Sequence, residues 1–186
     1  GLFERFGIAF TGSGSKSSHL AFEKHLAKEI ANKNGVKTVE GVLLSTSDKH
    51  AALDKITAFF KVNGPCILKP VAGGSSIGLM FVNKVNEMKD VALALTKARH
   101  NEYLMEPLIQ GRELTIGVID DGHKLQALPA SEVILETNRQ FDYEGKYLGK
   151  GTVEITPAEI TSEEMLTCQG VALTMHKALV CSGYTR

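Results

Sequence analysis

The chain has little of what marks a secreted, metal-bound or membrane-embedded protein. Its three cysteines, Cys66, Cys168 and Cys181, form no CxxC pair and no Cys/His metal spacing. An odd, scattered set suits a reducing cytoplasm, where cysteine acts as a small apolar residue. The histidines, His19, His25, His50, His100, His123 and His176, also lack ligand spacing, which argues against a zinc site. No apolar run approaches the roughly 20 residues needed to cross a bilayer. No basic stretch leads into an apolar one as a signal peptide would, although the chain opens on Gly1 rather than Met. There is no excess of charge: 21 Lys and Arg balance 21 Asp and Glu. General attraction to nucleic acid or anionic membrane is therefore not expected, and any anion site must be local. GxGxxG after the first strand and GxxxxGK[ST] are both missing, which disfavours Rossmann and Walker-type phosphate sites. Neither a GxSxG nor a Cys/His dyad points to nucleophilic catalysis.

What is present is the composition of a globular protein, with 43% hydrophobic and 23% charged residues among 186. That length suits one ordinary domain or two small ones. Residues 11–18, TGSGSKSS, read as a connector, with Ser17 or Ser18 as N-cap of a helix over 19–34 that Gly35 ends. Strands are predicted at 39–44, 66–69, 77–82, 103–108, 113–119, 124–128 and 132–135, and helices at 48–62 and 85–99. A final helix over 161–179 opens on Thr161-Ser162-Glu163-Glu164, a capping-box pattern. Residues 136–151 break the rhythm and read as a binding loop or lid. Residues 184–186 look like the start of a strand. The order of elements is α+β, with antiparallel strands around turns, and lacks regular β-α-β alternation.

Three segments can carry chemistry. Residues 66–78, CILKPVAGGSSIG, place Lys69 at a strand end before the small-residue turn Gly74-Ser75-Ser76. Glycines let backbone N–H groups approach an anion, serines add hydroxyl donors, and lysine adds a point charge suited to phosphate. A plain hairpin with a solvent-exposed lysine fits the composition equally well. Residues 102–115, EYLMEPLIQGRELT, place Glu106 and Glu113 either side of a short connector. Such a pair suits a base amine and a ribose, although solvated strand edges are the commoner use of paired glutamates. Residues 141–148, FDYEGKYL, put Tyr143, Lys146 and Tyr147 on the irregular loop, where they can cover a reactive acyl phosphate or simply anchor a surface loop.

Together and in order, these segments resemble the D-alanine–D-alanine ligase family. GIAFTGSG is similar to the family's GIPYTGSG, and AFEKHLAK to its phosphate-reaching helix. ILKPVAGGSSIG resembles VKPxxxGSSxG, and MEPLIQGRELT the adenine- and ribose-binding strand. FDYEGKYL resembles the ω-loop over the substrate, and CSGYTR the start of CxGxxRxD. The resemblance implies an ATP-grasp fold of antiparallel sheets with flanking helices. It divides the chain into a tail of an N-terminal substrate domain and linker (1–18), a central subdomain (19–109) and an incomplete C-terminal subdomain (110–186) with the ω-loop at 137–151.

By resemblance, Lys24 and Lys69 hold ATP phosphates, and Ser75 and Ser76 lie in a flap over phosphates and substrate. Glu106 faces the adenine amine, Ile109 offers its backbone to the ring, and Glu113 takes the ribose. Lys146 contacts the γ-phosphate, Tyr147 orients Ser75, and Arg186 stabilises the transferred phosphoryl group and the oxyanion. The implied reaction joins two D-alanines through an acyl phosphate in peptidoglycan synthesis, with ATP and two Mg2+ ions, in a cytoplasmic homodimer. No nucleic acid or membrane partner is implied. The family's metal ligands would lie past Arg186, so none is expected in this stretch. This stretch alone is expected to bind nucleotide weakly, not to ligate, and to self-associate or be marginally stable because of uncovered sheet edges. Pro107 stands where the family often has lysine, and Gly73 where it often has Glu or another polar residue. The alternatives are a D-alanine–D-lactate ligase, disfavoured by Tyr147, and a non-catalytic nucleotide-binding domain.

Overall fold

The computed structural model describes residues 1–135 and 152–186. Its elements in chain order are α1 (Leu2–Arg5), α2 (Ser15–Phe22), α3 (Lys24–Lys33), β1 (Val42–Ser45) and α4 (Lys49–Asn63). Then come β2 (Cys66–Pro70), β3 (Met80–Val82), a 3-10 turn (Val85–Glu87), α5 (Met88–Thr96), β4 (Glu102–Pro107) and β5 (Glu113–Asp120). The last are β6 (Leu125–Leu135), β7 (Thr152–Ile155), α6 (Ser162–Ala178) and β8 (Gly183–Thr185). The chain forms two compact units, one of Val39–Gln110 and one of Gly1–Thr38 with Gly111–Arg186.

The unit of Val39–Gln110 holds an antiparallel sheet in the order β1-β4-β2-β3. Strand alternation sends Leu44, Cys66, Leu68, Val82, Tyr103 and Met105 to one face. There they pack against Ala52 and Ile56 of α4 and Met88, Ala92 and Leu95 of α5. Burying a side chain such as Leu68 contributes roughly 1.5–3 kcal/mol. Cys66 is fully buried here, and desolvation pushes its thiol up to about 11, so it behaves as the apolar residue its isolation suggests.

Helix α4 starts where Asp48 accepts hydrogen bonds from the His50 and Ala51 N–H groups, at 2.9 and 3.1 Å. It stops at Gly64, whose φ of 72° few other residues adopt. The helix predicted over 85–99 is split. The Glu87 carboxylate accepts from the Asn83 and Lys84 N–H groups, which tightens 85–87 into the 3-10 turn before α5 begins at Met88. The strand predicted from Ile77 begins only at Met80, because 75–78 form a turn.

The other sheet runs β7-β6-β5-β8, again antiparallel. The two strands predicted at 124–128 and 132–135 are one strand, β6. Pro129 sits in a bulge between them: Ile116 faces Ala130 and Val118 faces Ala127, so Leu128 and Pro129 oppose Gly117 alone. A Cβ on Gly117 would press the Leu128 side chain at 3.0 Å, so the small residue makes room for the bulge. Helix α6 covers one face, with its Gln169 Nε2 donating to the Leu128 carbonyl at 3.1 Å. It begins with the expected box: Glu164 N–H donates to Thr161 Oγ1 at 3.2 Å, and Thr161 N–H donates to the Glu164 carboxylate at 2.8 Å.

The single helix predicted over 19–34 is two helices, with Glu23 extended between them at φ −82° and ψ 98°. The N-cap is Gly14, not Ser17 or Ser18. Ser17 is buried and donates its hydroxyl to the Val180 carbonyl at 2.5 Å, so it cannot cap the helix. Helix α1 and strand β7 carried no periodic signal in the sequence.

Candidate nucleotide site

In the unit of Val39–Gln110, β2 and β4 set the site. Their register pairs Ile67 with Glu106 and Lys69 with Leu104. With Cys66 and Leu68 turned to the core, Ile67 and Lys69 lie on the opposite face beside Leu104 and Glu106. Lys69 Nζ approaches Glu106 Oε2 at 2.7 Å, with the lysine side chain 32% exposed and the glutamate side chain 7%. A nearly buried carboxylate needs such a partner, since leaving it charged and alone is costly. The structure thus joins two residues that the sequence offered separately. Gly41 keeps this spot clear, because a Cβ there would meet Leu104 Cδ1 at 2.9 Å and Glu106 Cγ at 3.2 Å.

Ser75 and Ser76 form the turn after β2, and both are left-handed, at φ 57° and 58°. Ile77 N–H donates to the Gly74 carbonyl at 3.2 Å and closes the turn. Its far side is anchored at Gly78, where a Cβ would meet Pro70 Cγ at 3.0 Å and Tyr103 Oη at 3.3 Å. Tyr103 packs edge-on against His100, with ring centroids 6.2 Å apart, and burial raises its phenol above the ordinary range. Ile109 is exposed just past β4, where the Leu108 N–H donates to the Pro65 carbonyl at 2.9 Å.

In the other unit, Glu113 opens β5 and is exposed. The residue before it, Arg112, makes a two-pronged contact that sequence reasoning missed. Its Nε and an Nη donate to the two Glu132 oxygens at 2.6 Å each, and the Nη also reaches the Glu159 carbonyl at 2.8 Å. Hydrogen bonding to Arg112 holds the Glu132 carboxyl below the usual range, and the same bond raises the guanidinium. Arg112 stands next to Glu113 in the motif, but nothing local in the sequence selects Glu132 as its partner. Lys24 is the first residue of α3 and is half-buried. Arg186 is exposed and follows β8 directly. Lys146 and Tyr147 lie outside the described residues. Among the described residues, no group of three or more His, Cys, Asp or Glu side chains converges as a metal site.

Two antiparallel sheets with flanking helices, one with a strand-borne lysine before a serine turn, make this an ATP-grasp fold. The solved structure of the VanG D-Ala:D-Ser ligase from Enterococcus faecalis superposes with TM-score 0.82 at 31% identity, covering 98% of this chain and 52% of that one. The D-alanine–D-alanine ligase from Bacillus anthracis complexed with ATP superposes with TM-score 0.73 at 26% identity, covering 98% and 56%. The family model for the D-ala D-ala ligase C-terminus matches residues 30–186. The D-alanine–D-alanine ligase of Leptospira interrogans serovar copenhageni is 34% identical over all of this chain and 54% of its own length. That of Methylobacterium radiotolerans is also 34% identical, over 57% of its length. The chain belongs to the D-alanine–D-alanine ligase family, and it spans about half the length of the curated relatives it matches.

Proposed function

We propose that this chain supplies the nucleotide-binding part of an enzyme that joins two D-alanines to D-alanyl-D-alanine at the expense of ATP, for peptidoglycan precursors. The observation that carries the reading is the Lys69–Glu106 pair on β2 and β4, beside a left-handed serine turn. A cation next to a nearly buried carboxylate supplies one group for phosphate and one acceptor for a base amine. Ser75 and Ser76 cover the phosphates, Ile109 gives its backbone to the ring, and Glu113 takes the ribose hydroxyls. Lys24 adds a second cation for phosphate, Lys146 a contact to the γ-phosphate, and Tyr147 orients Ser75. Arg186 neutralises charge on the transferred phosphoryl group. These roles are positioning and charge neutralisation, which is what phosphoryl transfer asks of a protein. Magnesium ions neutralise phosphate charge in such chemistry. The described residues offer no cluster of three or more His, Cys, Asp or Glu to hold one.

The described residues contain no helix long and apolar enough to cross a membrane. A cytoplasmic homodimer acting on free D-amino acids is part of the proposal. D-serine is the competing second substrate, favoured by the likeness to the E. faecalis ligase. Release of ADP by the full-length protein, measured with D-alanine alone and with D-alanine plus D-serine or D-lactate, tests the reading. We expect D-alanine alone to support turnover and Lys69→Ala to raise the ATP requirement. ADP release that ignores D-alanine would overturn it.

A further inference from the structure

His176 sits on the inner face of α6 and is only 4% exposed. Its Nδ1 lies 2.8 Å from Thr185 Oγ1 on β8. Its Nε2 lies 3.6 Å from Asp120 Oδ2 on β5 and has no hydrogen-bond partner among the described residues. One ring therefore ties a helix to β8 and stands beside β5, and the register of the two strands pairs Asp120 with Gly183 and Val118 with Thr185. A buried polar ring costs more than an apolar residue of similar size unless its hydrogen bonds are met. One of its two nitrogens is spent on Thr185, the residue before Arg186.

Alternation along β8 gives that contact a direction. Thr185 turns toward α6, so Tyr184 and Arg186 turn to the other face, and both are exposed. On β5 the same alternation puts Glu113 on that other face, since Val118 and Asp120 face α6 and the odd-numbered positions do not. Glu113 and Arg186 thus share a face of one sheet. β8 pairs with β5 from Val118 to Asp120, and Ser182 just before it is hydrogen-bonded to Gly12 and Ser13, so its leading end is held there while the Thr185 hydroxyl holds the end that carries Arg186.

We infer that His176 is a positioning residue for Arg186: by holding Thr185 against α6, it fixes β8 so that the guanidinium emerges on the face of Glu113. His176 itself touches neither nucleotide nor substrate. The inference rests on the proposed assignment of Arg186 to the phosphoryl group in flight.

The test is steady-state kinetics of the full-length protein carrying His176→Ala, His176→Asn, Thr185→Val, Arg186→Ala or the His176→Ala/Arg186→Ala pair. Each variant is first checked for a native thermal transition. Loss of His176 is expected to lower kcat by about 10- to 100-fold, as a misplaced charge does. KM for ATP should move less than about threefold, because the lost contact matters in the transition state. Asn, whose amide can replace Nδ1, should restore most of kcat. Thr185→Val, which leaves the ring in place, should reproduce the loss. The pair should be no slower than Arg186→Ala alone. If Arg186→Ala keeps full kcat, the assignment of Arg186 fails. If Arg186→Ala is slow while His176→Ala and Thr185→Val are not, or if the pair is slower by the product of both effects, the positioning role alone is overturned. Should His176→Ala not fold, Thr185→Val and His176→Asn decide the question by the same criteria.

Discussion

Glu106 and Glu132 are both nearly buried, and each meets a cation, at 2.7 and 2.6 Å. Their partners separate them. Lys69 is a point charge on a flexible stem that can swing to a phosphate without breaking a fixed geometry. Arg112 is a planar donor set, held by both Glu132 oxygens and by the Glu159 carbonyl. The first pair leaves the lysine free to turn to the proposed nucleotide, whereas the second locks β5 to β6 and to the segment before α6. Two pairs at nearly the same distance thus differ in how the cation is held: a flexible stem in one, three directed bonds in the other.

The largest effect is expected from Lys69→Ala. It leaves Glu106 buried without its lysine, costing about 2 kcal/mol of stability and weakening nucleotide binding by about 30-fold. Adding Glu106→Leu should restore the stability but not the binding, as read by urea unfolding and by titration with ATP. If both return, the pair is not a ligand site.

The matching change in the other unit, Arg112→Ala with Glu132→Leu, should not restore stability, because the Glu159 carbonyl still loses its donor. Acid sharpens the contrast. The Glu132 carboxyl is depressed in the folded state by its bond to Arg112. Its contribution is therefore fully present above the unfolded carboxylate value of about 4.3 and is lost as pH falls through the depressed folded value. Unfolding curves measured down that range should show Glu132→Gln with a flatter acid limb than the parent. An unchanged limb would sink the lock reading.

Two smaller effects probe the frame that carries Arg186. Val180 is a β-branched residue at φ 53°, just past α6. Val180→Gly should stabilise the chain by about 1 kcal/mol, seen as a raised Tm. Thr161→Ala removes the cap at the other end of the helix and should cost a similar amount, about 1 kcal/mol. If both leave Tm unchanged, α6 owes its order to packing alone.

What was legible in the sequence follows the range of each interaction. The Thr161–Glu164 box is a contact within four residues and stood where the residue types put it, whereas Asp48, read as the first helical residue, is the cap of α4. Lys69 and Glu106 were singled out one at a time from their motifs, but their pairing depends on the register of β2 against β4. The bulge at Leu128–Pro129 stayed hidden because proline reads locally as a break, whereas a bulge asks nothing of its N–H. Arg112 with Glu132, and His176 with Thr185, were invisible for the same reason. Each joins separate elements, and nothing in a single segment announces the partner.

Ser75 and Ser76 carry a last consequence, which concerns mutational tolerance. Two adjacent side-chain-bearing residues in the left-handed region cost roughly 1–2 kcal/mol each, a cost glycine would avoid. A library varied at these two codons and scored for folding alone should therefore drift toward glycine and asparagine. Scored in the full-length protein for growth that depends on the proposed ligase activity, it should return to serine. The gap between the two outcomes would measure how much fitness the two hydroxyls carry against the backbone's own preference.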